Sequence, residues 1–313
     1  MCAQPLCVRW EAPFLLDVQR TVSVHRHGGS DPTFRPDPDG AIWRTCRTPD
    51  GPGTLRITTT GPAAPAAEVP PVVTAAAWGP GGPWLLAKLP DLLGASDDLS
   101  GFEPAHPRLR AIALSLPGLR VGRTGRVFEA LVPAVLEQKV VGAEAFRAWR
   151  WLLRRYGEPA PGPAPAGMRV IPPPRVWASI PSWEWHWAGV EAVRARTVAA
   201  AARVAGRLEE VAALAPAEAD GRLRTIPGIG VWTSAEVRQR ACGDADAVSV
   251  GDYHLPSLVG WTLAGRRTDD AGMLELLAPY AGHRHRVTRL LELLGSAPPR
   301  RGPRLPVRDY RAF

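Results

Sequence analysis

The sequence predicts an α+β fold, with a small β-rich amino-terminal part followed by a larger all-helical part. Three observations carry that expectation. Residues 1 to about 100 are rich in proline, glycine and threonine and hold short alternating runs. From residue 101 the apolar residues recur at spacings of three and four. A basic, proline-rich segment over 297–313 ends the chain. The expected organisation is therefore 1–100, 101–296 and a tail.

In the first part, "TVSVHRH", "AIWRTCR" and "TLRITTT" alternate and are bounded by the turn clusters "DPDG" and "PDGPG". That pattern reads as antiparallel strands and hairpins. In the second part, "VFEALVPAVLEQKVVGAEAFRAWRWLLRRYG" reads as helix with Gly157 at its end. The proline density of "GEPAPGPAPAGMRVIPPP" forbids helix and predicts a loop or linker. Helical pattern returns in "AVRARTVAAAARVAGRLEEVAAL" and runs through "HRHRVTRLLELLG".

The net charge is +8 and the pI about 10.0, which suits a polyanionic partner such as nucleic acid. The alternative is an arginine-rich surface without a partner. Lys88 and Lys139 are the two lysines, and every other basic side chain apart from histidine is arginine. Cys2, Cys7, Cys46 and Cys242 lack the spacing of zinc or iron–sulfur ligands, so no metal site is expected. The amino terminus carries no secretory pattern, and no apolar run approaches the ~20 residues that span a bilayer. A cytoplasmic monomer without a membrane partner is the resulting expectation.

The segment "TIPGIGVWTSAEVRQR" places Pro227, Gly228 and Gly230 between two helical patterns. The reading is helix, tight hairpin, helix, with Gly228 and Gly230 free to take unusual dihedrals. Amides at the start of the second helix lack intrahelical partners, and small residues let an anion approach them. A phosphodiester is one ligand for such a turn; a structural interhelical turn is the other explanation. Arg238 and Arg240 follow, as phosphate contacts or solvated side chains. Just beyond lies Asp252 in "AVSVGDYHLPSLV", which by itself reads as a helix cap.

Together, "TIPGIGVWTSAEVRQRACGDADAVSVGDYHL" resembles the helix-hairpin-helix motif and following aspartate of the base-excision DNA glycosylases of that superfamily. The similarity is greatest to the 3-methyladenine DNA glycosylase II branch. "HPRLRAIALSLPGLR" and "FEALVPAVLEQKVVGAEAFRAWRWLLRRYG" resemble that branch's first helices and its glutamine-bearing turn. The resemblance implies an enzyme acting on duplex DNA with damaged bases, and hydrolytic release of alkylated purines. It implies Asp252 as the catalytic carboxylate and Gly228, Ile229 and Gly230 as backbone-binding residues.

It also implies Trp232 as an aromatic wall of the base pocket, with Tyr280 in the place of a second aromatic by a looser match. Tyr253 either lines the pocket or supports it. Glu236 stands where the branch can have a tyrosine. Gln138 matches the turn, and Lys139 falls at the duplex wedge, where it either inserts or contacts phosphate. Trp232 also occupies the place of the lysine that relatives with lyase activity use, so strand scission through an imine is not expected. No organic cofactor is implied, and a sodium or potassium ion can sit on the hairpin's carbonyls. A non-catalytic DNA-binding module and a glycosylase for oxidised or deaminated bases are the alternatives.

Two further patterns stand apart. Trp183, Trp185 and Trp187 in "SWEWHW" cannot share one helix face and read as packing between helices or stacking on DNA. His283 and His285 in "HRHR" read as a basic, solvated face.

Overall fold

The computed structural model describes residues 4–60, 71–296 and 299; the basic tail over 297–313 otherwise lies outside them. The amino-terminal part is built on an antiparallel sheet of strands β1 (Leu6–Glu11), β2 (Phe34–Pro36), β3 (Ile42–Thr48), β4 (Gly51–Thr60) and β5 (Val72–Trp78). Their order is β1-β5-β4-β3-β2. Pro49 and Asp50 make the two-residue turn between β3 and β4, with Thr48 paired to Gly51. The Thr48 hydroxyl accepts from Asp50 N at 3.2 Å and donates to Gly51 O at 2.9 Å. Along β5, Val73, Ala75 and Ala77 point into the core with period two.

Helix α1 (Val18–Val22) closes over that face, joined by α2 (Gly82–Ala87) and α3 (Leu89–Leu92). Here the sequence expectation fails: "TVSVHRH" is not a strand but the end of α1 and a 3-10 turn over Ser23–His25. Asp17 caps α1 by accepting from Arg20 N at 2.8 Å. Val18, Thr21 and Val22 then bury one helical stripe, so the alternation in that run is incidental.

The helices continue with α4 (Pro107–Ser115), α5 (Val127–Leu136) and α6 (Gly142–Tyr156). A two-stranded ribbon of β6 (Glu158–Pro159) and β7 (Arg169–Val170) precedes α7 (Pro174–Ser179), α8 (Ser182–Ala188), α9 (Ala192–Arg203) and α10 (Ala205–Glu209). Then come α11 (Pro216–Arg224), α12 (Val231–Val237), α13 (Leu255–Ala264), α14 (Asp270–Leu277) and α15 (Arg284–Leu294).

Helix α5 is buried at every position but Glu129, as its otherwise apolar sequence requires. Its exposed-by-geometry ends are satisfied from elsewhere. Glu209 accepts from Val127 N at 2.8 Å and Phe128 N at 3.3 Å, while the buried Arg194 donates to Leu136 O at 2.7 Å. The main core gathers α5, α6, α7, α8, α9, α10 and α12. A separate core joins α4, α13, α14 and α15 around Leu109, Val259, Met273, Tyr280 and Val287.

The proline-rich segment expected to be a loop or linker is a strap held to the sheet. Thr45 Oγ1 donates to Arg169 O at 2.6 Å, and Arg169 N donates to Pro32 O at 2.8 Å. Met168 covers the stacked indoles of Trp43 and Trp78, whose centroids are 5.4 Å apart. Gly162 lies so close that an added Cβ would sit 2.3 Å from Trp78 Cγ. Ion pairs complete the join: Arg44 reaches Glu129 of α5 at 2.7 Å. Arg286 is bound by Asp97, with both side chains nearly sealed from solvent.

Candidate nucleic-acid interface and active site

Helix α11, the turn over 225–230 and α12 form the hairpin that the glycines predict. Gly228 has φ +90, and a Cβ there would stand 2.1 Å from the Thr197 hydroxyl, so both conformation and space demand glycine. Gly230 differs from the expectation. Its φ of −99° is ordinary, and nothing lies within 4 Å of a Cβ built there. What Gly230 supplies is open space in front of the first amides of α12. Ile229 is buried and its N–H donates to Ile226 O at 3.1 Å. Ile229 therefore anchors the turn, while Gly228 and Gly230 form its exposed rim.

Asp252 sits at the end of the segment following that hairpin. Its Oδ1 accepts from His254 N at 2.7 Å and Leu255 N at 2.9 Å, capping α13. Its Oδ2 accepts from the Trp232 indole Nε1 at 3.2 Å. Capping and the approach to Trp232 are thus two halves of one arrangement. Three N–H donors fix the carboxylate beside an aromatic face, and Trp232 itself packs on the main helical core.

The turn between α5 and α6 comes to the same place. Gln138 Nε2 donates to Gly228 O at 2.9 Å and to Thr233 Oγ1 at 2.8 Å. The next residue, Lys139, is exposed and has φ +55, the one left-handed non-glycine residue among those described. A side chain is held there in a conformation that costs about 1–2 kcal/mol. Glu137, on the other side, meets His27 Nδ1 at 3.3 Å. Two of the hairpin's carbonyls, Ile226 and Gly228, already accept protein N–H groups, so an alkali ion would have to share them.

Glu236 is one helical turn from Trp232 and turned into the protein. Its carboxylate binds Arg240 at 2.7 Å and accepts from the Ser249 hydroxyl. Burial holds its pKa above the ordinary carboxylate value against the opposing Arg240 charge. Arg240 also donates to Val24 O at 3.3 Å, so it ties α12 to the β-rich part. Arg238 is engaged with Asp244 and Asp220. Neither arginine is the solvated side chain or phosphate contact considered from sequence.

The remaining residues scatter. Tyr253 is 77 % exposed, edge-on to His254 at 4.8 Å. Tyr280 belongs to the other core and its hydroxyl accepts from His106 N at 3.3 Å. The structure does not bring it to Trp232. His283 and His285 are buried rather than solvated. Desolvation first, then Arg240, Arg289 and Arg286, push His285 down to about 3. His25 is likewise lowered by burial and by Arg44, Arg240, His27 and Arg289. Sequence reasoning missed this buried polar layer; its signal was the pair of histidines flanked by arginines.

Among the described residues no cluster of His, Cys, Asp or Glu suits a metal, and no helix is long and apolar enough to cross a membrane. No family model matches the chain. A Mycobacterium tuberculosis protein described as a probable bifunctional transcriptional activator/DNA repair enzyme AlkA is 32% identical over 156 residues. That match covers 48% of this chain and 30% of the relative. The 3-methyladenine DNA glycosylase of Archaeoglobus fulgidus superposes with TM-score 0.71 and 18% identity, over 91% of this chain and 97% of that one. The 8-oxoguanine glycosylase/lyase of Clostridium acetobutylicum does so with TM-score 0.68 and 10% identity, over 93% and 98%.

Proposed function

We propose that this chain, whose fold is that of the helix-hairpin-helix DNA glycosylases, excises a damaged base from duplex DNA by hydrolysis. The single observation that supports the reading best is the Asp252 carboxylate fixed against Trp232 immediately behind the hairpin. A base within the duplex is out of reach, so the nucleotide has to rotate into the space beside them. Gly228 and Gly230 would hold the backbone, and Lys139 would face the gap left in the stack.

Cleavage of the glycosidic bond leaves positive charge on the sugar. A carboxylate held by three N–H donors cannot swing away, and it stabilises that charge without reorganising. Its free lone pairs can orient or deprotonate the attacking water. An N-alkylated purine is electron-poor and often cationic, which favours the Trp232 face. It departs neutral, so no general acid is needed. We assign alkylated purines as the substrate class, and an abasic site without strand scission as the product. The reaction requires neither an organic cofactor nor a catalytic metal.

Glu236 supports a second reading. Glu236, one helical turn from Trp232, is engaged inward by Arg240 and Ser249; were it to turn outward, it would offer hydrogen bonds to the edge of an oxidised or deaminated base. Purified protein incubated with duplexes carrying each lesion, followed by detection of free base and alkali-labile sites, separates the two. Release of N-alkylated purines with intact strands before alkali is the expected result. Release of oxidised or deaminated bases alone would favour the second reading. Binding without any release would leave a DNA-binding module.

A further inference from the structure

The arginines of α6 and the tryptophans of α8 form a surface that the excision reaction does not use. Trp183 and Trp187 are 62 % and 55 % exposed. Four residues apart, they share one face of α8 about 6 Å apart along its axis. Trp185, on the opposite face, is the residue that packs. On α6, the helix that α8 packs against, a groove of about 430 Å³ is lined by Arg147, Arg150, Trp151, Arg154 and Arg155.

Two contacts orient the helices. Arg155 pairs with Glu184, next to Trp183, at 3.6 Å. At the other end the Arg147 guanidinium lies over Gly189, which ends α8, 3.0 Å from where a Cβ would stand. The helices therefore run antiparallel, with a row of arginines along one and two indoles along the other. Arg150 and Arg154 have no acidic partner among the described residues. The groove begins at Arg147, in the second turn of the helix that follows the Lys139 turn.

We propose that this groove binds single-stranded nucleic acid. Exposed indoles offer flat faces to bases of any identity, and a parallel row of guanidinium groups follows the phosphates. The separation of the indoles, close to twice the ~3.4 Å rise between stacked bases, leaves room for a base between or against them. An acidic peptide would meet the arginines but would leave two indoles without a partner. The surface is separate from the hairpin and the proposal does not depend on which base is excised.

The test measures binding of a fluorescein-labelled oligothymidylate while following tryptophan fluorescence. The wild type should bind with quenching of that fluorescence. The Trp183→Ala/Trp187→Ala and Arg150→Glu/Arg154→Glu double variants should each lose about ten-fold or more in affinity. The arginine variant should also show a shallower salt dependence. Both should keep wild-type melting and wild-type affinity for duplex, since Trp183, Trp187 and Arg154 are exposed and Arg150 is partly so. Unchanged oligothymidylate affinity would overturn the proposal. So would equal losses on duplex, or displacement of the oligonucleotide by polyglutamate more readily than by unlabelled oligothymidylate.

Discussion

The Trp232 indole N–H lies 3.2 Å from Asp252 Oδ2, across twenty residues of chain. This bond fixes the one carboxylate oxygen that the α13 cap leaves free, and joins the hairpin's second helix to the residue proposed for catalysis. Asp252→Asn keeps a side-chain oxygen for the cap and loses the charge. We expect base release to fall by about 100-fold or more, with DNA affinity and unfolding free energy near wild type. Asp252→Ala should in addition lose about 1 kcal/mol of stability as the cap disappears. Single-turnover assays and urea unfolding read the two effects apart, and full activity in the asparagine variant would remove Asp252 from the mechanism.

The two hairpin glycines should respond differently to alanine. At Gly228 the methyl group meets the Thr197 hydroxyl and φ is +90, so Gly228→Ala should cost about 2 kcal/mol or more. At Gly230 the space is open and φ ordinary. Gly230→Ala should leave urea unfolding unchanged while weakening duplex binding. Undiminished duplex affinity in Gly230→Ala would place the phosphates elsewhere.

Lys139 offers a third comparison. Lys139→Gly removes the left-handed cost and Lys139→Ala retains it. The glycine variant should be the more stable by about 1 kcal/mol, with both binding duplex less tightly than wild type. Equal stabilities in urea would mean that the turn relaxes when the lysine is lost.

Stability should fall on mild acidification because of His25 and His285. Both are held neutral in the fold, below their ordinary value of 6.5. Their contribution is complete above about pH 6.5 and declines below it; that of His285 is lost as pH falls toward about 3, where it titrates. His285 adds a slope of about 1.4 kcal/mol per pH unit in that window. Glu236, raised by burial, acts in the opposite sense, its contribution declining as pH rises through its folded value. Comparing wild type with His285→Leu between pH 7 and pH 5 isolates one histidine. An identical pH slope in the two would show that His285 is not held neutral.

The sequence made some parts of this arrangement legible and concealed others. The Gly228 turn could be read because a positive φ leaves a glycine in the sequence. Strands β3 and β4 could be read because turn residues bound their alternating runs, although β3 is buried on both faces. Helix α1 could not, since in seven residues an alternating run and a helical stripe look alike until Asp17 caps the chain. Asp252 was visible as a cap or as a catalyst, and the indole bond that unites those roles is a tertiary contact. Tyr280 matched by residue type, yet which core an aromatic joins depends on the crossing of α4, α13 and α15.

The strap over Trp43 and Trp78 carries a consequence for how the chain can be divided. Residues 158–170 follow the sheet by some eighty positions, yet they roof its indoles and bond to Thr45 and Pro32. A fragment ending before α4 would keep every strand of the five-stranded sheet and lose that roof. It would present two stacked tryptophans to water, an adhesive face rather than a finished surface. Gene order and cooperative unit therefore disagree, and any attempt to separate or transplant the sheet would have to carry a piece of the later chain with it.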